Sequence, residues 1–194
     1  GSSFDDTLRI GNGGGSIWAG GGNDFAYGGS GNDDLHGEGG VNHLVGGSGA
    51  DILDGSQGLS FANYQTAQSG VVANFLNALA NTGDAAGDSY VSMFGIIGSN
   101  FDDTLRIGNG GGSIWAGSGN DFAYGGSGND DLHGEGGVNH LVGGTGTDIL
   151  DGGQGLSFAN YQTAQSGVVA NFLDASANTG DAAGDSYVSM FGII

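Results

Sequence analysis

Aspartates recur at the same place in short glycine-rich segments of this chain. Asp33 ends the segment GGSGND, Asp51 ends GGSGAD, and Asp24 ends the related segment AGGGND. Glycine permits the positive φ angles of tight turns and the close approach of backbone carbonyls. Carboxylate and carbonyl oxygens gathered in this way are the ligands that Ca²⁺ prefers, about six to eight at a time. These residues therefore suggest the binding of a hard cation.

The segments belong to a repeat of nine residues. Seven nonapeptides follow one another from residue 1 to residue 63, and the eighth position of each is apolar. These positions are Leu8, Ile17, Ala26, Leu35, Leu44, Leu53 and Ala62. A period of nine does not match the 3.6-residue period of an amphipathic helix. We expect a short strand after each turn, with position eight inward and positions seven and nine outward.

The chain consists of two copies of one unit, residues 1–97 and 98–194, which differ at seven positions. Each copy has nonapeptides, over 1–63 and 98–160, and then a spacer, over 64–97 and 161–194. Residues 71–75 and 90–94 of the first spacer are rich in β-branched and aromatic residues, which predicts strands. Residues 95–97 (GII) fit the strand slot of a further repeat. We therefore expect one continuous rod of two tandem units.

The composition limits the partners. The 194 residues include 46 glycines, no cysteine and only two Lys or Arg, and the net charge is −19. Nucleic acids and anionic membrane surfaces demand a basic face, so neither is an expected partner. Without cysteine there are no disulfides and no thiolate metal sites. No apolar run has the length of a membrane span, so we expect no membrane insertion. We expect a loose chain without cation and a compact one with it.

The nonapeptides carry a family resemblance. GGSGNDDLH and GGSGADILD fit G-G-x-G-x-D-x-U-x, where U is a large apolar residue, and the chain resembles the RTX, or haemolysin-type calcium-binding repeat, family. The resemblance implies an all-β fold, a right-handed parallel β-roll (a solenoid) in which two nonapeptides make one turn. Alternate loops then stack at one edge, with Ca²⁺ between them. In the family, the earlier loop supplies the carbonyls of positions two and four, the later loop those of positions one and three, and each its position-six aspartate.

Carried over to this chain, the resemblance implies four sites with two carboxylates each. The pairs are Asp6 with Asp24, Asp33 with Asp51, Asp103 with Asp121, and Asp130 with Asp148. The carbonyls implied in copy one are those of Ser2, Phe4, Ala19, Gly21, Gly29, Gly31, Gly46 and Ser48. Those implied in copy two belong to Ser99, Phe101, Ala116, Ser118, Gly126, Gly128, Gly143 and Thr145.

Weaker candidates accompany these pairs. Asp24 with Asn42, and Asp121 with Asn139, would form sites with one carboxylate, completed in copy one by the carbonyls of Gly20, Gly22, Gly37 and Gly39. In the spacers, Asp84 and Asp88, and their counterparts Asp181 and Asp185, either bind further calcium or cap turns.

Outward positions carry histidines and an apolar stripe. We expect His36, His43, His133 and His140 to be solvated surface residues rather than metal ligands or acid–base groups. The stripe consists of Phe25, Tyr27, Val45 and Phe61. Either the spacer folds back over it, which we favour, or it binds a sugar or another partner, with Trp18 and Trp115 as further candidates.

The resemblance implies a calcium-binding structural module of a secreted or cell-surface bacterial protein, such as an adhesin exported by type I secretion. Such a module would fold on calcium binding outside the cell. The alternatives are an accessory calcium-stabilised domain of a secreted enzyme and a glycan-binding adhesin module, although nothing in the sequence supports glycan binding. The chain has no HExxH and no GxSxG motif, so we expect no enzymatic activity. Exposed strand edges at the ends of the roll predict end-to-end self-association.

Overall fold

A computed structural model describes all residues, Gly1–Ile194, and its regular structure is short β-strands. The strands of copy one are β1 (Thr7–Asn12), β2 (Ser16–Trp18), β3 (Phe25–Ser30), β4 (Asp34–His36), β5 (Val41–Ser48), β6 (Ile52–Asp54), β7 (Leu59–Asn63), β8 (Val72–Asn74), β9 (Ser89–Val91) and β10 (Gly95–Ile97). Those of copy two are β11 (Thr104–Arg106), β12 (Ser113–Trp115), β13 (Phe122–Ser127), β14 (Asp131–His133), β15 (His140–Thr145), β16 (Ile149–Asp151), β17 (Phe158–Ala159), β18 (Ser186–Val188) and β19 (Gly192–Ile193). Single 3₁₀ turns lie at Ala78–Ala80, Gly83–Ala85, Ala175–Ala177 and Gly180–Ala182.

The strands form a parallel β-roll, which confirms the expected fold class. One sheet has nine strands in the order β1-β3-β5-β7-β10-β12-β14-β16-β18. The opposite side of the roll has a four-stranded sheet, β2-β4-β6-β9, and a six-stranded sheet, β19-β17-β15-β13-β11-β8. Within each copy, neighbouring rungs pair residues 18 apart, such as Leu8 with Ala26 and Leu35 with Leu53. Two nonapeptides therefore make one turn.

The core is the column of position-eight side chains. Leu35, Leu44 and Leu53 are fully buried, and so are their counterparts in copy two, Leu132, Leu141 and Leu150. Alternation along each strand points these residues inward and their neighbours outward. The apolar core holds the strands, and the strands in turn fix where each loop lies.

The spacer continues the roll. β9 pairs with β6, β10 pairs with both β7 and β12, and β8 pairs with β11 of the next copy. The spacer strands use their backbone groups to add rungs, and the spacer covers the apolar stripe only in part. Phe25 remains 37% exposed. Phe94 of the spacer contacts the stripe edge-on at Phe61, with ring centroids 5.5 Å apart.

The two copies use opposite sides of the roll for equivalent strands. The first strand of copy one, β1, lies in the nine-stranded sheet, whereas its counterpart β11 lies in the six-stranded sheet. The seven nonapeptides begin and end in the nine-stranded sheet, with β1 and β7. The spacer then places β8 and β9 on the opposite side of the roll and returns to the nine-stranded sheet with β10. The next nonapeptide then starts on the opposite side. As a result, the nine-stranded sheet contains β1, β3, β5 and β7 of copy one and β12, β14, β16 and β18 of copy two, joined by β10.

No helix in the structure combines the length and the hydropathy that crossing a bilayer requires.

Candidate metal sites

The position-six aspartates stack in columns along the two loop edges. The backbone N–H of Asp33 donates to Oδ1 of Asp51 at 2.8 Å, and that of Asp6 donates to Oδ1 of Asp24 at 2.8 Å. In copy two the N–H of Asp103 donates to Oδ1 of Asp121 at 2.8 Å, and that of Asp130 to Oδ1 of Asp148 at 2.9 Å. The structure thus brings together each pair of carboxylates implied by the sequence. One oxygen of each later carboxylate is engaged with the preceding loop.

The second oxygen of most of these carboxylates is buried without a partner. Oδ2 of Asp24, Asp33, Asp51, Asp121, Asp130 and Asp148 has no hydrogen bond. These residues are at most 2% exposed. A buried carboxylate oxygen without a partner destabilises the folded state, because it has lost its hydrogen bonds to water and has formed none within the protein. The loops therefore have a set of oxygens that a bound cation would satisfy.

Backbone carbonyls converge on the same places. A Cβ built on Gly28, at position one of its loop, would overlap Oδ2 of Asp33 and lie 2.6 Å from the carbonyl oxygen of Gly46. A Cβ on Gly125 would overlap Oδ2 of Asp130 and lie 2.7 Å from the carbonyl oxygen of Gly143. Position one must therefore be free of a side chain, because the oxygens of two loops meet there.

The first loop of each copy has a variant of this arrangement. The backbone N–H of Ser99 donates to Oδ2 of Asp103 at 2.6 Å, and that of Ser2 donates to Oδ2 of Asp6 at 2.5 Å. The carbonyl oxygens of Ala19 and Ala116 still lie beside the position-one glycines Gly1 and Gly98. Each carboxylate here is therefore held by a serine N–H on the loop side.

Other implied carbonyls take part in the backbone network. The carbonyl of Ser48 accepts from the N–H of Gly31 at 2.8 Å, and that of Ser2 accepts from Gly21 at 2.9 Å. Their counterparts Thr145 and Ser99 accept from Gly128 and Ser118. A carbonyl oxygen has two lone pairs, so one hydrogen bond leaves one lone pair for an ion. No group of three or more His, Asp or Glu side chains lies close enough together to hold a metal ion.

The asparagine loops use an amide where the others have a carboxylate. Oδ1 of Asn42 accepts from the N–H of Asp24 at 2.9 Å, so the two residues predicted as a weaker site do stack. Nδ2 of Asn42 donates to the carbonyls of Gly37 at 2.9 Å and Gly39 at 3.2 Å. Asn139 has the same bonds in copy two. The amide therefore engages two carbonyls that the weaker site was expected to use.

Burial raises the pKa of six of the paired carboxyl groups. The pKa of Asp51 is raised to about 6, and those of Asp121 and Asp130 to about 7. Burial also raises the pKa of Asp148 to about 6, and it raises the pKa of Asp33 and Asp103. The pKa of Asp6 is lowered, because it accepts hydrogen bonds from Ser2 at an exposed position. In the buried loops, charge is therefore disfavoured unless a cation offsets it.

One column residue was not placed by sequence reasoning. Oδ1 of Asp88 accepts from the N–H of Asp51 at 3.0 Å, which puts Asp88 in position six of a further loop. Asp185 holds the same place beside Asp148. The signal is present in residues 83–91 (GDAAGDSYV), where Gly83, Asp88 and Tyr90 occupy positions one, six and eight. Asp84 lies instead in the 3₁₀ turn Gly83–Ala85.

The histidines face outward, as expected, but they are not simply solvated. His36 is 21% exposed in its side chain, and its two ring nitrogens lie 3.0 Å from Asp34 and 3.3 Å from Asp54. His133 has the same partners in copy two. His43 stacks between Phe25 and Phe61, and His140 between Phe122 and Phe158. Each histidine is thus part of a side-chain stack on the outer face.

Comparison with known proteins gives one match. The family model described as "RTX calcium-binding nonapeptide repeat (4 copies)" matches residues 1–35, 9–44, 36–58, 107–141 and 124–156. Together these ranges cover more than half of the chain. No curated protein matches the chain.

Proposed function

Because this chain belongs to the RTX calcium-binding nonapeptide repeat family, we propose that it is the calcium-dependent structural module of a secreted or cell-surface bacterial protein. Its role is structural rather than catalytic. Each copy, residues 1–97 and 98–194, is one unit of a tandem array. Calcium binding outside the cell completes the fold of both units.

One observation carries the proposal. The buried, unpartnered oxygens of stacked aspartates meet the carbonyls of the neighbouring loop at glycines that leave no room for a Cβ, as at Asp33 and Gly28. A hard cation is the partner that fits this set, because it offers many contacts to oxygen at once. The residues that would hold it are the four aspartate pairs and the carbonyls beside them. Bound there, the ion would supply the positive charge that cancels two carboxylates per site.

Net charge links this chemistry to location. A chain with a net charge of −19 repels itself when compact. Extracellular calcium modules typically bind at about 10⁻⁴–10⁻³ M, well above cytosolic levels. The chain therefore stays loose during export by type I secretion and becomes compact outside.

The folded module acts as a spacer rod. Strands in a sheet lie about 4.8 Å apart, and the nine-stranded sheet runs through both copies without a break. Stiffness in such arrays depends on the stacking of neighbours.

A calcium titration followed by far-UV circular dichroism tests this function, with magnesium as the control ion. We expect a cooperative gain of β-structure with calcium alone, reversed by a chelator. The double variant Asp33→Asn, Asp51→Asn should raise the calcium concentration needed for folding, and Asp34→Asn, Asp54→Asn at outward positions should not. A chain that is equally folded in chelator and in calcium would contradict the proposal.

A further inference from the structure

The outer face of the nine-stranded sheet carries an aromatic ladder that changes composition where the copies meet. In copy one the rings of Phe25, His43 and Phe61 stack along it, with centroid distances of 4.5 and 5.9 Å. In copy two the ladder is replaced on this sheet by Trp115, which stacks on His133 at 4.2 Å. The two groups share a face only because the copies use opposite sides of the roll.

A cleft lies between the two aromatic groups. It has a volume of about 280 Å³ and is lined by His43, Phe61, Gln65, Ile97, Trp115 and Glu135. This is close to the lower end of small-molecule sites, about 300 Å³. An adjoining cleft of about 550 Å³ shares Trp115 and Glu135 and adds Asp151. Trp115 is 41% exposed between them.

Gly95 helps to keep the first cleft open. It pairs with Phe61 on one side and Ser113 on the other, in the rung between the two aromatic groups. A Cβ at this position would lie 2.8 Å from a ring carbon of Phe61. The position in register with Phe61 therefore has no side chain in this rung, while Ile97 of the same rung lines the cleft.

The charged side chains that line the two clefts are acidic, Glu135 and Asp151, and no Lys or Arg lines either cleft. The chain has two Lys or Arg residues in all. Both are already used: Cζ of Arg9 lies 3.6 Å from the ring centroid of Tyr27, and that of Arg106 lies 4.2 Å from Tyr124. These contacts show that outer rings of this roll accept cations on their faces. Burial also lowers the pKa of His43, which disfavours the positively charged form of its imidazole.

We propose that this cleft binds a quaternary ammonium group, the head of a small trimethylammonium compound such as choline. Indole is the ring that attracts cations most strongly, and quaternary ammonium ions are held by aromatic rings with little cost of dehydration. Glu135 supplies the opposite charge. Inorganic cations are selected instead by the oxygens of the loops. The site therefore goes beyond the calcium-dependent role and needs only the folded chain.

Copy one provides an internal control. Trp18 stacks on His36 at 5.1 Å, as Trp115 stacks on His133. However, β2 pairs only with β4, whereas β12 pairs with both β10 and β14. The cleft beside it is lined by residues of the N-terminal rungs, among them Gly1, Arg9 and Ile10, and not by an aromatic ladder or a glutamate. The same residue types thus lack the site where there is no junction.

The test uses the full chain in calcium, with tryptophan fluorescence as the signal. In Trp18→Phe the only indole is Trp115, and we expect choline chloride to change its emission saturably, relative to sodium chloride at equal ionic strength. The isosteric but uncharged 3,3-dimethylbutanol should bind at least about tenfold more weakly. Glu135→Gln should weaken choline binding about tenfold, whereas its counterpart Glu38→Gln should not, and in Trp115→Phe the signal should vanish. Circular dichroism confirms that each variant folds.

Three results would overturn the proposal. If 3,3-dimethylbutanol bound as tightly as choline, the cleft would recognise apolar shape and not positive charge. Saturable binding of methyl glucoside without binding of choline would make it a sugar subsite. No saturable response from Trp115 in a folded chain would leave it without a ligand of this class.

Discussion

The backbone N–H of Asp51 donates to Oδ1 of Asp88 at 3.0 Å, although the two residues are 37 positions apart in the chain. The column of aspartates built by the repeats therefore runs on into the spacer. There the second carboxylate oxygen of Asp88 accepts from the hydroxyl of Tyr64 at 2.8 Å, and that hydroxyl lies 2.6 Å from the hydroxyl of Tyr90. Both oxygens of Asp88 are thus satisfied by the protein, whereas Oδ2 of Asp51 is not.

Removing the Tyr64 hydroxyl should therefore destabilise the spacer. Tyr64→Phe leaves a fully buried carboxylate oxygen of Asp88 unpaired, which costs about 1–3 kcal/mol. The free energy of unfolding in calcium, measured by denaturant titration, should fall by that amount. Tyr27→Phe, on the outer face beneath Arg9, is the control. Equal losses in the two variants would mean that the Tyr64 hydroxyl has no special role.

Acid should partly replace calcium. Burial raises the pKa of Asp51 and Asp148 in the folded chain to about 6, and that of Asp88, Asp121 and Asp130 to about 7, well above the ordinary value for an aspartate. The folded state thus binds more protons than the unfolded state between these values. The stability of the calcium-free chain should rise as pH falls below 7, and be lost as pH rises through 6 to 7.

Circular dichroism in chelator at pH 8.0 and 5.5 measures this effect, and we expect more β-structure at pH 5.5. Protons compete with the ion for the same oxygens, so more calcium should be needed for folding at pH 5.5. Equal spectra in chelator at the two pH values, with unchanged calcium dependence, would contradict both statements.

Asn42→Asp should add a calcium site. The Asn42 amide donates to the carbonyls of Gly37 and Gly39, a role that a carboxylate cannot take. With aspartate in place, two carboxylates and these carbonyls face one another, and a cation becomes the group that can satisfy them. Calcium stoichiometry by titration calorimetry should rise by one per chain. Asn77→Asp adds the same charge at a position where copy two already has Asp174, and should leave the stoichiometry unchanged.

Gly28→Ala should remove one site. The new Cβ would overlap Oδ2 of Asp33 and approach the carbonyl of Gly46, at the place where the oxygens of two loops meet. We expect one calcium fewer per chain and a higher calcium midpoint for folding. Gly21→Ala is the matched control, because its Cβ would lie 3.7 Å from Ser3 and copy two already has Ser118 there. Unchanged stoichiometry in Gly28→Ala would show that the ion lies elsewhere.

Much of the fold was determined by the sequence because its pattern is local and periodic. An apolar residue recurs every nine positions, as at Leu35, Leu44 and Leu53, and the β-roll implied by the family resemblance buries all of them at once. The resemblance also implies two nonapeptides per turn, so it places Asp33 beside Asp51, 18 residues away, and the structure has this pairing.

Tertiary structure decided what depends on the path of the spacer and on atoms that no repeat pattern specifies. The sequence alone did not reveal that Asp88 joins the column, since its loop reaches Asp51 only after the chain has gone out through β8 and returned through β9. The sequence also did not show which atoms contact the Asn42 side chain, because an amide can either donate to carbonyls or offer its oxygen to an ion. Phe61 and Trp115 lie on one face because the chain changes sides of the roll between equivalent strands of the two copies. As a result β12, rather than β11, follows β7 and β10 in the nine-stranded sheet. Local periodicity fixes neighbours one turn apart, and only the complete path of the backbone fixes which faces meet.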